Sequence, residues 1–460
     1  MIAMQELIEK ALQLSRADAC IVIADETNCL NIRWANNELT SNGFSRSRQL
    51  TIISILNSAE GTSTGVVLAS GVTCESLETL VRKAEGIARA TVPAKDAQPL
   101  LTGRTSPNWD EPSPETSVEV LSRFVPAMGG ALSRARCEGR LLFGYAEHAS
   151  RSTYLASSTG LRLRHDQPAG RVEMNAKSCD HYASVWGGTV GTTVADIDVE
   201  ELERYLTRRL GWARRRLKLP AGRYETLLLP SPVADLMLWL YSSAGARNAH
   251  DGGTVFSKYG GGTRIGERIS PVSMSLRSDP ATPGLQCNPF VVAYASGDTS
   301  SIFDNGLPLL STNWISDGTL SALVQTRLSA SLTGLPVTPR IDNLILEGPL
   351  GMGHALDEMI ANTARGLLVS SLWYIREADP RTLLLTGLTR DGVFLIERGE
   401  IVGAVNNFRF NESPVDLLGR ISEVGITERT LPREEVKFMG TAMPPLRISD
   451  FNMSSVSEAL

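Results

Sequence analysis

The sequence predicts an α+β fold of two domains with largely antiparallel sheets, and three observations support that class. Short runs in which apolar and polar residues alternate recur between Asn, Gly and Ser turns, which is typical of antiparallel strands. Helical patterns are few, and the regular strand–helix–strand alternation that indicates a parallel sheet is missing. The chain has 460 residues, a length that usually divides into more than one domain.

The first predicted unit covers residues 1–95 and begins with an amphipathic helix at 5–16. A strand in "ACIVIADE" follows, and residues 30–70 have the alternation of an antiparallel meander of about three or four strands. An amphipathic helix in "CESLETLVRKAEGIARATV" closes the unit. Its predicted apolar face consists of Leu77, Leu80, Val81, Ala84, Ile87 and Ala88.

A surface connection rich in Pro, Ser and Thr, residues 93–117, leads to a second unit at 115–219. This unit is predicted to contain a helix near 117–135, polar-alternating strands up to about 191 and a charged helix from 198 to 219. Pro220 and Gly222 stop that last helix, so we place the domain boundary after residue 219. Residues 1–219 would then form one N-terminal domain in which helices layer on antiparallel strands.

The C-terminal domain, residues 220–460, is predicted to be antiparallel, β-rich and barrel-like, with a few helices. Its short β runs are separated by Gly and Pro turns. Asp304-Asn305-Gly306 and Arg398-Gly399 are predicted hairpin turns. Two helices are expected among these strands, near 231–245 and 353–366.

Composition and charge exclude several classes of function. The net charge is −5, so the chain has no overall basic field for nucleic acid. No apolar run reaches the ~18–20 residues of a membrane span, and the acidic start of the chain lacks the features of a signal peptide. The six cysteines are scattered without a C-x-x-C pair, as reduced thiols are. We therefore expect a cytoplasmic protein without a nucleic-acid or membrane partner.

The usual catalytic and cofactor motifs are missing from the sequence. "KYGGGTRIGERIS" fails the dinucleotide pattern at Ile265, and no Walker loop or G-x-S-x-G elbow occurs. A helical zinc site needs two ligands on one face, and none of the five histidines has another three to five residues away. His354 and Glu358 are spaced to share a helix face, which is better explained as polar surface. No metal site is therefore predicted in this chain.

The C-terminal region, residues 364–425 together with 304–340, closely resembles the C-terminal half of the TldD/PmbA family, whose members include candidate modulators of DNA gyrase. The N-terminal stretches "IRWANNELTSNGFSRSRQLTI" and "CESLETLVRKAEGIARA" fit the same family in the expected order. The resemblance covers nearly the whole chain and depends on extended pattern and not on one diagnostic motif.

The family has two kinds of subunit, which differ in the helix after the first strand of the C-terminal half. The TldD kind carries H-E-x-x-x-H there, and these histidines bind zinc together with a cysteine near the C-terminus. The matching helix here is "SPVADLMLWLYSSAGA", which has Asp235 as its one acid and no histidine, and no cysteine follows Cys287. Its residues instead predict an apolar core stripe: Val233, Leu236, Met237, Leu240, Tyr241 and Ala244. The chain thus resembles the metal-free TldE/PmbA kind.

The resemblance implies a function for such a chain. A metal-free subunit pairs with a TldD-type zinc subunit as a heterodimer, and the pair cleaves unfolded polypeptides or peptide precursors. We therefore expect no catalytic residue and no cofactor in this chain, with zinc in the partner; in isolation the chain could form a homodimer. An extended substrate could add as a strand to an exposed sheet edge and be recognised through its backbone.

Two polar segments near the C-terminus are the candidate contacts with substrate or partner. The turn "READPRT" and the segment "NNFRFNES" supply them, and alternation along a strand would place the second group on one face, opposite Phe408 and Phe410. The alternative for each is an internal salt bridge or a turn cap. The candidate residues are Arg376, Asp379, Arg381, Asn407, Arg409 and Asn411.

Another candidate surface is a basic segment near the domain boundary, which we interpret as a solvated face; a partner contact or a steering patch for acidic peptides is the alternative. Its members are Arg204, Arg208, Arg209, Arg214, Arg215 and Arg216.

Two other functions compete with the subunit hypothesis. The chain could be a stand-alone peptide-binding module that works without a peptidase. It could also be a divergent hydrolase that acts without zinc, with Cys179 as nucleophile and His181 as base on one predicted strand. A Cys-His pair this close in sequence is usually accidental, which argues against the hydrolase.

Overall fold

The computed structural model describes residues 2–349, 353–435 and 440–458. The elements of the N-terminal part are α1 (Met4–Leu14), β1 (Ala19–Ala35), β2 (Glu38–Ser58), β3 (Gly61–Ser70), α2 (Cys74–Ala90), α3 (Phe124–Cys137), β4 (Arg140–Ser157), β5 (Arg162–Ser178), β6 (Ser184–Gly191) and α4 (Val199–Trp212).

The strands of the C-terminal part are β7 (Arg216–Leu217), β8 (Gly222–Leu228), β9 (Ser275–Ser278), β10 (Thr312–Ser316), β11 (Thr319–Leu320), β12 (Leu344–Glu347), β13 (Arg365–Val369), β14 (Leu372–Asp379), β15 (Leu384–Thr389), β16 (Val393–Glu397), β17 (Glu400–Val405), β18 (Phe408–Glu412), β19 (Ile421–Val424), β20 (Glu428–Thr430), β21 (Thr441–Met443) and β22 (Leu446–Val456). Its helices are α5 (Pro230–Ser242), α6 (Ala246–His250), α7 (Arg327–Thr333), α8 (Leu356–Ala361) and α9 (Pro414–Leu418).

Three sheets organise the described residues. The N-terminal sheet has the order β3-β2-β1-β4-β5-β6 and is antiparallel throughout. A second sheet runs β11-β10-β9-β12-β21-β20, and the largest runs β14-β15-β18-β22-β8-β13-β16-β17-β7, with β19 joined to β22. Three pairs, β8–β13, β12–β21 and β7–β17, are parallel. The predicted α+β class with largely antiparallel sheets is confirmed.

The two faces of the N-terminal sheet are covered by different parts of the chain. Side chains alternate between the two faces along β1. On one face, Val22 packs under α1 and α2 and, further along the strand, Ile32 packs under α3. Ile21 and Ile23 point the other way and pack against Phe303 of the C-terminal part. Three hydrophobic clusters of the described residues therefore contain residues from both sides of the predicted boundary at 219, and the division into two domains stays a prediction.

Most predicted helices and hairpins are found, with three corrections. The helix predicted to reach 219 ends at Trp212, because Arg216 and Leu217 pair with β17. The helix predicted at 353–366 is limited to α8, because residues 365–369 enter the large sheet as β13. Asp304-Asn305-Gly306 is not a turn between two strands, because Asp304 ends a 3-10 turn and its carboxylate binds Arg327, 2.7 Å from Nε.

The other predicted hairpin turn, Arg398-Gly399, is confirmed. Arg398 and Gly399 join β16 to β17 and both have positive φ, 54° and 80°, as a type I′ turn requires. On α2, four residues of the predicted apolar face are buried, Leu80 is half-buried and Ile87 is 37% exposed. In the part of the chain that the structure describes, no helix combines the length and the hydropathy of a membrane span.

Candidate functional site

The helix that separates the two kinds of family subunit is α5. It follows β8, an internal strand of the large sheet, and begins at Pro230, where a missing N–H costs nothing. The six predicted stripe residues are each at most 4% exposed, which confirms that this helix fills a core.

Asp235 is the one acid of α5 and is completely buried. Its carboxylate accepts hydrogen bonds from the backbone N–H groups of Arg433 (3.3 Å), Glu434 (3.0 Å) and Glu435 (3.4 Å). Burial raises the pKa of Asp235 to about 8, and the three amides oppose that shift without cancelling it. The helix is thereby tied to a segment near the C-terminus.

The Arg433 side chain forms the centre of a compact cluster, here called the Arg433 cluster, made by Arg433, Ser371, Asp391, Trp186 and Trp373. The guanidinium pairs with Asp391, donates to Ser371 Oγ at 2.6 Å, and lies 5.1 and 5.2 Å from the ring centres of the two tryptophans. Burial alone would raise the pKa of Asp391, but Arg433 holds it below its ordinary value. The cluster joins β6 of the N-terminal sheet to the large sheet.

A polar face of the N-terminal sheet adjoins this cluster. Arg33, Tyr145 and Glu173 are cross-strand neighbours on β1, β4 and β5, and Glu147 and Arg171 form the next row. The two guanidinium groups lie 4.9 and 5.2 Å from the centre of the Tyr145 ring, whose hydroxyl donates to Glu147. Arg171 also lies 3.5 Å from Glu147 and 3.6 Å from Glu173.

These five residues, called the polar face below, present both signs of charge beside an aromatic ring. Burial raises the pKa of Glu173, and Arg433 is among the cations that oppose the shift, which places the polar face beside the Arg433 cluster. Cys29 shares this face of β1, and burial together with Glu147 raises the pKa of its thiol to about 11. A thiol that is protonated at neutral pH is a poor nucleophile, so Cys29 does not add a nucleophile to this face.

The structure places the first group of predicted contact residues around the β14–β15 hairpin. Arg376 lies over the Tyr374 ring at 4.3 Å and its guanidinium is 3.5 Å from Glu434, next to the segment that binds Asp235. Asp379 caps the hairpin turn by accepting from the Arg381 N–H (3.1 Å) and the Thr382 hydroxyl (2.6 Å). These hydrogen bonds lower the pKa of Asp379.

The second group lies on and beside β18. Phe408 and Phe410 are completely buried, which confirms the predicted alternation. Thr386 of β15 lies between the two groups of predicted contact residues. It is the cross-strand neighbour of Arg376 on β14 and of Asn411 on β18. Its hydroxyl also accepts a hydrogen bond from the Arg409 guanidinium at 3.4 Å.

Two predicted residues lie apart from this row. Asn407 precedes β18 and lies 3.4 Å from the Thr389 hydroxyl. Arg381 lines a separate surface cavity of about 540 Å³ with Lys258 and Asp416. Contact of the six residues with substrate or partner stays a prediction.

The proposed nucleophile and base do not share a strand. β5 ends at Ser178, and Cys179 and His181 lie in the turn before β6, where His181 has a φ of 59°. Asp180 forms this turn by accepting from the Ser178 hydroxyl and the Tyr182 N–H. The predicted strand geometry of the pair is therefore wrong.

The basic segment near residue 209 is mostly exposed, as predicted, with one correction. Arg209 is 2% exposed, and burial lowers the pKa of its guanidinium to about 9. It stacks on the Tyr205 ring, with Glu428 as the nearby opposite charge.

Potential metal ligands are dispersed. Among residues 2–349, 353–435 and 440–458, no three His, Cys, Asp or Glu side chains are grouped as a metal site. His354 precedes α8, so it does not share a helix face with Glu358, although Nδ1 lies 3.6 Å from that carboxylate.

Sequence reasoning missed the Arg433 cluster and the polar face. Alternate polar residues in β1, β4 and β5 were a usable signal for the polar face, since they share one side of each strand. Arg433 and Asp391 lie far apart in the sequence and have no such signal.

Comparisons with known proteins identify the family of this chain. A family model described as the PmbA/TldA metallopeptidase C-terminal domain matches residues 221–455, more than half of the chain. No curated protein matches the sequence significantly.

Solved structures share the fold over the full length of the chain. TldE from Thermococcus kodakarensis is similar with a TM-score of 0.78 and 16% identity, covering 98% of this chain and 99% of that one. A candidate modulator of a DNA gyrase from Thermotoga maritima has a TM-score of 0.76 and 16% identity, covering 97% and 99%. Another from Bacteroides thetaiotaomicron has a TM-score of 0.75 and 13% identity, covering 98% of both chains. The chain belongs to the PmbA/TldD family.

Proposed function

We propose that this chain is the non-catalytic subunit of a TldD/TldE-type zinc metallopeptidase that cleaves unfolded polypeptides or peptide precursors. The observation that carries the proposal is the state of α5, the helix on which the zinc-binding kind of subunit bears its histidines. In this chain α5 is a core helix, and its one acid binds backbone amides of the segment 433–435.

The residues at this place do not fit a zinc ion. Zinc in proteins takes thiolate, imidazole and carboxylate ligands. Asp235 already accepts three amide hydrogens. In the facing segment, the cation Arg433 is engaged by Asp391 and Ser371. The Glu434 carboxylate is engaged by the Tyr374 N–H and by Arg376. Under the proposal, zinc and the cleavage step belong to a partner chain of the zinc-binding kind.

An edge of the N-terminal sheet supports binding of an extended substrate. Residues 38–48 of β2 pair with β1, and β3 begins to pair with β2 only at Gln49. Among the described residues no further strand pairs with this stretch. Its N–H and C=O groups could therefore form a ladder with a peptide, which requires that the substrate be unfolded. An apolar groove of about 620 Å³ beside the edge is lined by Leu39, Val118 and Val125.

Reconstitution tests the subunit assignment. A TldD-type chain with H-E-x-x-x-H from the same organism and the present chain are purified separately, and cleavage of a reduced and alkylated protein is measured for each chain and for the mixture. The mixture should cleave, this chain alone should not, and a zinc chelator should abolish the activity. The same protein with its disulfides intact is the control and should resist cleavage.

Several outcomes would contradict the proposal. Cleavage by this chain alone in the presence of chelator would favour the divergent hydrolase. Binding of unfolded peptide with no effect on the partner's rate would favour a stand-alone binding module. Equal rates for the folded and the unfolded protein would refute the requirement for an extended substrate.

Backbone recognition at β2 predicts which changes matter. N-methylation of alternate residues in a fluorescent peptide should weaken its binding to this chain, measured by anisotropy, because methylation removes the ladder donors. Leu39→Ser, at a side chain that is 58% exposed, should change the affinity much less. Equal affinity of the methylated and unmethylated peptides would show that the backbone is not what the chain recognises.

A further inference from the structure

A recessed cavity of about 300 Å³ lies between the N-terminal sheet and the loops that cover it. Its wall is partly apolar, with Phe290, Val291 and Leu309, and partly charged. The volume is at the lower end of the range of small-molecule sites, ~300–1,000 Å³. The cavity is separate from the Arg433 cluster and from the predicted contact residues, none of which line it.

Two of the charged groups that line the cavity have partners within the protein. Arg151 bonds to Asp25 at 2.8 Å and to the Tyr294 hydroxyl at 2.9 Å. Asp304 binds Arg327 at 2.7 Å. These pairs hold the walls in place and neutralise their own charges.

The other two charged groups, Arg340 and Asp342, are left without an ionic partner among the described residues. Both lie on the loop that leads into β12, and their charged atoms do not come within the 4.0 Å of an ion pair. Arg340 stacks on Tyr241 of α5, 4.9 Å from the ring centre, and this contact leaves its hydrogen-bond donors unused by described residues. The Asp342 carboxylate likewise accepts no hydrogen bond from the described part of the chain.

The Asp342 side chain lines the cavity and is exposed to solvent. Enough protein nevertheless surrounds the carboxylate that desolvation raises its pKa, against the attraction of Arg340 and Arg151. A partly desolvated charge gains more from an ionic partner than a charge at an open surface does.

We propose that this cavity binds a small zwitterion, a free amino acid or a dipeptide, with its ammonium group at Asp342 and its carboxylate at Arg340. One negative and one positive group, neither of which forms an ion pair with a described residue, match a ligand that carries one charge of each sign. A guanidinium binds a carboxylate through two parallel hydrogen bonds, and the apolar wall can contact an aliphatic side chain. The site does not depend on the proposed peptidase function, because it lies within this chain.

Calorimetry on the full chain tests the proposal with leucine, the dipeptide Ala-Leu, N-acetyl-Ala-Leu and Ala-Leu amide. At least one of the two zwitterions should bind, and which of them binds more tightly decides the ligand length. For Ala-Leu, blocking either end should weaken binding at least about tenfold, since each cap removes a charge-assisted contact. For leucine the matched probes are N-acetyl-leucine and leucine amide.

Variants assign each end of the ligand. Arg340→Gln should abolish the preference for a free carboxylate over an amide, and Asp342→Asn should abolish the preference for a free ammonium over an acetyl group. Arg365→Gln and Asp110→Asn, at exposed positions elsewhere, are the matched controls and should bind like the wild type. Arg340→Lys keeps the cation and should retain the carboxylate preference, which guards against a folding defect in Arg340→Gln.

Three results would overturn the proposal. The first is that neither zwitterion binds, and the second is that the capped ligands bind as tightly as the free ones. The third is that the preferences persist in Arg340→Gln and Asp342→Asn, which would place the binding site elsewhere.

Discussion

At the scale of single residues, Asp235 couples protonation to folding. In the native state its pKa is raised to about 8, whereas an unfolded aspartate titrates near 4. Between about pH 4 and 8 the native state therefore holds a proton that the unfolded chain has lost, and this carboxyl lowers the free energy of unfolding as the pH rises through that window. Above about pH 8 its effect is constant.

Asp235→Asn should remove this pH dependence. The amide keeps an oxygen for the backbone N–H groups, so we expect the stability of the variant to improve relative to the wild type as the pH rises from about 5 to 8. Urea unfolding at a series of pH values measures the difference. Asp379→Asn is the control at an exposed turn with a lowered pKa, so its stability relative to the wild type should change only in acid. Parallel curves for Asp235→Asn and the wild type would contradict the raised pKa.

Arg433 is expected to stabilise the fold, because its removal would leave the buried Asp391 carboxylate without its ionic partner. Its side chain and that of Asp391 are 9% and 8% exposed. Removal of one member of a buried ion pair typically costs about 3–5 kcal/mol, since the other charge stays buried without a partner. Arg433→Met should lower the free energy of unfolding by about that amount, and the double variant with Asp391→Asn should recover part of it.

The exposed pair Arg365–Glu397 supplies the matched control for Arg433. Arg365→Met should change the free energy of unfolding by at most ~1 kcal/mol, because exposed ion pairs contribute little. If Arg433→Met also lowered the free energy of unfolding by at most ~1 kcal/mol, the Arg433 cluster would have to be solvated.

At the scale of elements, α5 has a structural role. Met237 and Leu240 are 0% and 2% exposed in the main core of the C-terminal part. Truncation to alanine leaves a cavity, so Met237→Ala and Leu240→Ala should each lower the free energy of unfolding by about 2–5 kcal/mol. Ser242→Ala, at the exposed end of the helix, should change it by less than about 0.5 kcal/mol. A small effect at Met237 and Leu240 would contradict the core assignment.

Pairing between distant strands explains why some predicted elements end early. The stretch 213–219 has helical composition, but the backbone of β7 satisfies its hydrogen bonds on β17. Residues 365–369 likewise join β8 and β16. Local propensity is a weak preference of a few tenths of a kcal/mol per residue, and a sheet contact outweighs it.

At the scale of the whole molecule, the two halves of the chain complete each other's cores. Phe290, Ile302 and Phe303 pack on Ile21, Ile23 and Ile53 of the N-terminal sheet. Residues 1–219 alone would expose this apolar face, so we expect the fragment to bind a hydrophobic dye such as ANS and to give a poorly dispersed NMR spectrum. A monomeric, well-dispersed fragment would instead support an independent domain ending at 219.

A single side chain at that interface gives a milder test. Phe303 is 1% exposed, and Phe303→Ala should lower the free energy of unfolding of the full chain by about 3–5 kcal/mol. Because the clusters are shared, the far-UV and near-UV signals should change in one transition. Leu310→Ala, at a side chain that is 74% exposed, is the control and should leave the transition near that of the wild type.

The sequence alone determined the features that depend on local periodicity and residue type. Period-two alternation predicted the antiparallel strands, the apolar spacing predicted the stripe of α5, and the Arg398-Gly399 turn predicted its hairpin. The order of these patterns was enough to indicate the family that the comparison with known proteins confirmed.

The tertiary structure decided which distant polar groups meet. Asp235 lies about 200 residues from the amides it binds. Arg433 meets Trp186 of β6 and Asp391 of the turn between β15 and β16. Neighbours along one strand or helix follow from its repeat, but contacts between elements depend on how the sheets pack around shared cores. Six predicted contact residues could be proposed from local pattern, whereas the Arg433 cluster and the recessed cavity exist only after the chain has folded.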